Sequence, residues 1–307
     1  MDLWKRLTAP IRQTSGLGRW VLLSGLIIVA VFVIFAVFAD IIAPYGFAQN
    51  SLDGVDFPQK GKPSGDHLMG TDGFGYDVWS RVVYGSRTAL MVICLAVLGS
   101  LVVGLTLGLI SGYVGGWLDR ILVLIMDALY AIPSLLLAIV VGFLLSEKIG
   151  AGVMSAALAL TVVYMPQYFR VVRNSTVSAR EATYVEAARA MGAPGRTVIT
   201  RYLFGNVIQS VPVIGTLNAS DALSTLAALG FLGLGIQPSE GADWGYDLSS
   251  ALEDASSGIW WTGVYPGLAI VLLIVGLTLV GEGLNETINP TLRKRKLKPI
   301  TAKETAK

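Results

Sequence analysis

The sequence predicts an all-α integral membrane protein, six transmembrane helices with a helical hairpin on the cytoplasmic face, and three observations carry that prediction. The 307 residues are 53% hydrophobic and 14% charged, with a mean hydropathy of +0.64, where an average soluble domain is roughly 25% charged. Six apolar stretches are each long enough to cross ~30 Å of hydrocarbon at 1.5 Å per residue. Lysine and arginine are distributed unevenly between the connecting segments. The same composition excludes a disordered chain, a collagen-like fibre and a disulfide scaffold, since the chain holds one cysteine, Cys94, and one histidine, His67. With so few ligating side chains no metal site is expected.

The first stretch, 20–39, is uncharged and follows Lys5, Arg6, Arg12 and Arg19. Val37-Phe38-Ala39 resembles a signal-peptidase site, but an apolar region of this length favours an uncleaved anchor. The second stretch, 88–118, is a long uncharged run. The third, 121–146, holds only Asp127. The fourth, 149–169, is uncharged, the fifth, 202–239, holds only Asp221, and the sixth, 255–281, is uncharged. The second, fifth and sixth exceed one crossing, which implies tilted or interfacial segments. Pro133, Pro166, Pro212 and Pro266 fall in four different spans and remove backbone donors there, inviting kinks. Gly104, Gly108 and Gly112 align on one face of the second span and permit close helix contact.

Orientation follows from the cations. With the N-terminus inside, 18 lysines and arginines lie on the inner face and five on the outer face, so both termini are expected in the cytoplasm. Residues 1–19 then form a cytoplasmic segment and 20–290 the transmembrane domain, with an outer loop at 43–85 and a cytoplasmic loop at 174–204. A basic tail, 291–307, contains Arg293-Lys294-Arg295-Lys296, suited to anionic lipid headgroups. The fifth connection carries Glu240, Asp243, Asp247, Glu253 and Asp254 without a cation, an acidic outer face. Glu240, Asp243 and Asp247 are candidates for docking a basic partner surface, the alternative being plain solvation. His67, in the outer loop, is expected to be solvated.

The cytoplasmic loop is more than a connector. Ser178-x-x-Glu181 and Thr183-x-x-Glu186 are capping-box patterns, and 182–191 consists of good helix formers. Gly192 suits a position past a helix end with positive φ, and Pro194 can begin a second helix. A short helix, a tight turn and another helix result, with small residues Ala187, Ala188 and Gly192 leaving room for close approach. The bland alternative is an amphipathic helix resting in the headgroups.

Asp127, Asp221 and Glu282 sit at or near membrane depth, where an ionised carboxylate must face the bundle interior, water or a partner. Asn218, Asp221, Ser224 and Thr225 form the most polar intramembrane patch, either a substrate path or an interhelical hydrogen-bonded contact. Asp127 and Glu282 read as structural. No phosphate-binding GxxxxGK[ST], GxSxG or HExxH pattern occurs, so no catalytic residue is assigned, and any ATP chemistry belongs to another chain.

Glu186-Ala187-Ala188, followed after three residues by Gly192, resembles the EAA signature of ABC importer permeases. Other segments are similar to the dipeptide/oligopeptide/nickel permease family. These are Met69-Gly70-Thr71-Asp72 through Asp77 with Ser80 through Arg87, Ile132-Pro133-Ser134 through Ile139, Gln167 through Arg173, and Phe231 through Pro238 with Trp244-Gly245. The likeness runs from about residue 20 to about 293. Tyr76 stands where the family usually has Arg, Leu226 where it often has Glu, and Phe204-Gly205 where it has Leu-Pro. The resemblance implies a type I ABC importer permease fold of the second-permease kind, multi-pass in the cell inner (plasma) membrane. Its implied partners are a homologous permease, two ATPase subunits that bind ATP and Mg, an extracytoplasmic binding protein and membrane lipid, with no nucleic acid and no cofactor on this chain. Glu186, Ala187, Ala188 and Gly192 would couple to an ATPase. Short peptides are the expected cargo, with nickel chelates, glutathione and sugars as alternatives. A competing reading is a proton-coupled secondary transporter using Asp127 or Asp221, and a more distant one a membrane-embedded enzyme, for which no constellation is assembled.

Overall fold

A computed structural model of the chain describes residues 17–208 and 211–288. The basic segments containing Lys5, Arg6 and Arg12, and Arg293 to Lys296, lie outside them. Helix α1 (Leu17–Val37) is followed by a one-turn helix α2 (Ala39–Ile42) and an outer loop with a two-stranded antiparallel ribbon, β1 (Ser51–Leu52) and β2 (Val55–Asp56). Helix α3 (Val78–Val114) turns into α4 (Gly116–Ala131), α5 (Ser134–Ile149) and α6 (Val153–Arg180). The hairpin comprises α7 (Thr183–Ala190), α8 (Gly195–Thr197), a π-helical segment (Val198–Leu203) and α9 (Phe204–Val207). Helices α10 (Val211–Phe231), α11 (Trp244–Ser256) and α12 (Trp261–Ile288) complete the chain.

All six apolar stretches are helical, but their geometry differs from six simple rods. Among the described residues α1, α3 and α12 are long and apolar enough to cross a membrane, and a fourth crossing is added if α4 and α5 count as one bent span. Helices α6 and α10, 28 and 21 residues long, have the length to cross but carry polar side chains such as Gln167, Arg170, Asn218 and Asp221 that lower their apolarity. The third stretch is broken at the expected proline. The bend is far sharper than a proline kink: α4 and α5 meet at 100° across Ile132-Pro133, because Ile132 is extended ahead of a residue with no N–H to continue the ladder. Pro166 and Pro266, by contrast, lie inside continuous helices.

Apolar burial drives little helix association in lipid, so close packing must hold the bundle. The α3–α6 seam shows how. A Cβ at Gly104, Gly108 or Gly112 would lie 2.6 Å from Tyr168 Cβ, 2.8 Å from Val172 Cγ1 or 2.7 Å from Thr176 Cβ. Ser100 extends the line, its hydroxyl donating to the Thr161 carbonyl at 3.0 Å. Helices α1 and α12 pack antiparallel in the same manner, with a Cβ at Gly25 falling 2.8 Å from the Gly276 carbonyl and one at Gly283 meeting Leu22. The first stretch is thereby built into the bundle. Val92, Ala96, Leu160, Ala222, Leu223 and Leu273 fill the centre and are fully or almost fully buried.

These pairings put the start of α1, the end of α3, the hairpin and the end of α12 at one end of the molecule. The outer loop and α11 lie at the other. Helix α3 begins at Val78, with Asp77 accepting from the Ser80 amide at 2.8 Å as N-cap. The outer loop therefore ends eight residues earlier than the 43–85 span suggests. It is clasped to the bundle by the Trp261 indole, whose Nε1 donates to the Thr71 carbonyl at 3.2 Å, and Trp244 Nε1 likewise ties α11 to the Val82 carbonyl of α3 at 3.2 Å. Gly70, at φ +76°, lets the chain pass against Trp261 where a side chain would collide.

Candidate functional site

At the hairpin end, α6 continues through Ser178 to Arg180, so the Ser178-x-x-Glu181 box does not form. The second box fails as well, since the N-cap of α7 is Ala182, which offers no side-chain cap. The helix is nonetheless where the residue types place it. Its end is a Schellman motif: the Ala193 amide donates to the Ala188 carbonyl at 3.0 Å and the Gly192 amide to the Arg189 carbonyl at 2.9 Å, with Gly192 at φ +81°. Pro194 then caps α8.

The four residues of the signature do not share one face. Ala188 is 1% exposed, and Val185 of the same helix joins Val198, Leu203, Leu109 and Val172 in the apolar core behind the hairpin. Glu186, Ala187 and Gly192 are exposed, together with Tyr184 and Met191, the latter at 78%. The hairpin is tied to the helices behind it. The Arg189 guanidinium lies 5.1 Å from the Tyr113 ring centroid, at the end of α3, and a Cβ at Gly195 would sit 3.1 Å from the same ring. Arg173 on α6 grips both oxygens of Asp119 on α4, at 2.5 and 2.6 Å, and Arg180 donates to the Gly112 carbonyl at 3.0 Å. The hairpin thus rests on α3 at Tyr113, and α3, α4 and α6 are bonded to one another behind it.

On the side of the bundle, α4, α6 and α10 border an open cleft of about 350 Å³ lined by Tyr130, Gln167, Arg170, Val171, Ile214, Leu217, Asn218 and Asp221. Asp127, read from sequence as structural, pairs with Arg170 at 2.7 Å, and the Arg170 guanidinium stacks 4.1 Å from the Tyr130 ring. The polar patch on α10 divides by helical position. Asp221 and Ser224 are exposed, whereas Asn218 and Thr225 are buried, Thr225 joined to the Tyr164 hydroxyl at 2.9 Å. Thr225 thus makes an interhelical hydrogen bond, while Asp221 lines the cleft.

At the outer end the expected docking triad is not a surface triad. Asp243 is 5% exposed and caps α11, accepting from the Gly245 amide at 2.8 Å and the Ile236 amide at 3.1 Å. Burial pushes its pKa up to about 6 despite those bonds. Asp247 receives Arg81 Nε and Nη2 on one oxygen at 2.8 and 2.5 Å, and burial raises its pKa as well. Only Glu240 remains exposed. Asp72, beside the same arginine, is pushed up to about 6 by burial. His67 is also corrected: it is 6% exposed, lies between Tyr45 and Phe57, and sits 3.0 Å from Asp77 through Nδ1. The departures are accommodated, Tyr76 lying 5.3 Å from the Arg81 guanidinium, Leu226 being 3% exposed in the core, and Gly205 following the π-helical segment.

Sequence reasoning missed Arg170, Asp119, Arg81 and Tyr113 as site-building residues. Each has a partner far along the chain, and for Arg81 the separation is 166 residues. An unpaired arginine in an apolar segment is the one signal that could have found Arg81 and Arg170.

Residues 104–294 match a family described as binding-protein-dependent transport system inner membrane component. The chain is 40% identical, over 94% of its length and 98% of the relative's, to the dipeptide transport system permease protein DppC of Escherichia coli K12. It is 37% identical to the protein of that name from Alkalihalophilus pseudofirmus, over 88% of this chain and 85% of the relative. The glutathione transport system permease protein GsiD of Pectobacterium atrosepticum is 34% identical over 95% of this chain and 91% of its own length.

Proposed function

We propose, from the premise that this chain belongs to the binding-protein-dependent inner membrane transport components and is a dipeptide/oligopeptide-type ABC permease, that it forms half of the translocation pathway of an ATP-driven importer of short peptides. The reading is carried by the hairpin: a rigidly terminated helix with an exposed face of Tyr184, Glu186, Ala187, Met191 and Gly192, backed by ties to α3, α4 and α6. An ATPase subunit docks on that face, and nucleotide-driven closure of two ATPases moves the hairpin as a rigid body. Arg189 on Tyr113 and Arg173 on Asp119 carry the motion to the helices that wall the cleft.

Both termini and the hairpin face the cytoplasm in this scheme, in keeping with the cation distribution, and the outer loop with α11 faces the binding protein. The second permease completes the pathway around the cleft lined by Asp221 and Arg170. Asn218 and Thr225 hold the wall in place while Asp221 and Ser224 line the passage. ATP and Mg are held by the ATPases.

The test is uptake of a labelled dipeptide by the complex in proteoliposomes, with the binding protein outside and ATP inside. Uptake that requires ATP hydrolysis and all four kinds of subunit is expected. Uptake by this chain alone, without nucleotide and abolished by an uncoupler, would overturn the reading in favour of a proton-coupled carrier.

A further inference from the structure

We propose that the outer end of the molecule binds one sodium ion where the outer loop, α3, α11 and α12 meet, with Asp247 Oδ2 and Thr262 Oγ1 among its ligands.

Two buried oxygens mark the site. Asp247 uses one carboxylate oxygen for Arg81, whose Nε and Nη2 both donate to Oδ1 at 2.8 and 2.5 Å. Its other oxygen, Oδ2, and the Thr262 hydroxyl have no hydrogen-bond partner among the described residues, although both are closed off from solvent. The Asp247 side chain is 9% exposed and Thr262 3%. Folded proteins leave few buried oxygens bare, so two in the lining of one cavity point to a shared guest. That cavity, of about 10 Å³, is also lined by Asp72, Arg81, Ser250 and Asp254. It has room for one guest the size of a water molecule.

Charge decides between a water and a cation. The lining brings together the carboxylates of Asp72, Asp247 and Asp254 and the single guanidinium of Arg81. Lys60 balances Asp254, its Nζ lying 2.7 Å from Oδ1, and Arg81 balances Asp247. Asp72 receives only the neutral amides of Phe74 and Tyr76, at 2.9 and 2.8 Å, so one negative charge is left over. A water satisfies the two bare oxygens and leaves that charge standing, whereas a monovalent cation answers both needs. Carboxylate and hydroxyl oxygens are the ligands of hard cations, and the lining offers no imidazole or thiolate for a softer metal. Among the described residues no three carboxylates group to hold a metal ion, so the anionic ligand set of calcium is missing. The cavity is too small for the waters magnesium retains, and its size favours sodium over the larger potassium. The ion joins α11 to α12 and holds the outer loop against them, beside the bond from Trp261 to the Thr71 carbonyl.

The experiment follows thermal unfolding of the complete transporter in detergent in sodium, potassium or choline chloride, for the parent and for Thr262→Val. Equal ionic strength holds general screening constant, and hydrogen exchange of the α11 amides gives a local readout. The parent should unfold about 2–4 °C higher in sodium than in choline, with slower exchange in α11. Thr262→Val keeps the shape and charge of the site, so it should fold and lose the sodium-specific difference. Equal midpoints and equal exchange of the parent in all three salts overturn the proposal. An equal rise in potassium overturns the assignment to sodium. A destabilisation of Thr262→Val by the same amount in every salt overturns it in favour of a bound water, and a gain in every salt overturns it by showing a hydroxyl without a guest.

Discussion

Removing the Asp247 carboxylate should unfold the outer end of this protein, and the size of the effect follows from what Arg81 loses. The Arg81 side chain is 3% exposed and that of Asp247 9%. Asp247→Ala strips two of the three hydrogen bonds of a buried guanidinium, leaving the Phe47 carbonyl at 2.9 Å and the nearby Asp72 as compensation. Breaking one side of a buried ion pair costs about 3–5 kcal/mol, and Asp72 places this case near the lower figure. The assay is equilibrium or thermal unfolding in detergent, with Arg81→Met and Arg81→Met/Asp247→Leu closing a double-mutant cycle. The double variant should lie within ~1 kcal/mol of the parent, because no orphaned charge remains. The exposed Arg87–Asp40 pair is the control, and Asp40→Asn should change stability far less. A loss below ~1 kcal/mol for Asp247→Ala, or a double variant worse than either single one, would refute the reasoning.

The other predictions concern packing, the hairpin and pH. Gly108→Leu places a side chain where its first carbon already meets Val172 and the Phe169 carbonyl at 2.8 and 2.9 Å; it should abolish folding or assembly, read by size-exclusion yield, while Gly205→Leu, where a Cβ finds open space, should be tolerated. Gly192→Ala should cost about 1–2 kcal/mol locally through its positive φ, whereas Met191→Glu should leave stability unchanged and reduce ATPase co-purification. Lowering the pH from 7 to 5 should stabilise the outer end. Asp243 and Asp72 have folded pKa values raised to about 6 above a usual 3.8, so the folded state binds these protons more tightly. Their contribution is fully present below about 4 and lost as pH rises through about 6. Unfolding midpoints that fall between pH 7 and 5, or that rise equally in Asp243→Asn, would contradict this.

Local rules made much of this molecule legible before any coordinates. Gly104, Gly108 and Gly112 indicated a close helix seam because spacing alone aligns them, and Gly192 and Pro194 marked a helix end because φ > 0 and a missing N–H are local properties. The polar patch around Asp221 was visible as polarity in an apolar run. What escaped depends on the partner. Asp243 and Asp247 read as a solvated acidic face until α11 folds against Arg81, and His67 read as a loop residue until Tyr45, Phe57 and Asp77 close around it. The capping boxes failed for other reasons: α6 extends past Ser178, so no helix starts there, and α7 begins one residue early, with Ala182 in the cap position. At Pro133 the sequence indicated a disturbance, but its angle of 100° depends on the extended conformation of Ile132.

The central claim is that the α7 hairpin is the contact through which an ATPase drives this chain. A photo-activatable cross-linking residue at Met191, and separately at Ala187, in native membranes tests it most directly, with Trp117 at the exposed start of α4 as the control position. The account predicts an adduct between each hairpin position and a Walker-motif ATPase, identified by mass spectrometry, and a smaller or absent adduct from Trp117. Labelling of lipid alone at both hairpin positions, in membranes that still import peptide, would contradict it.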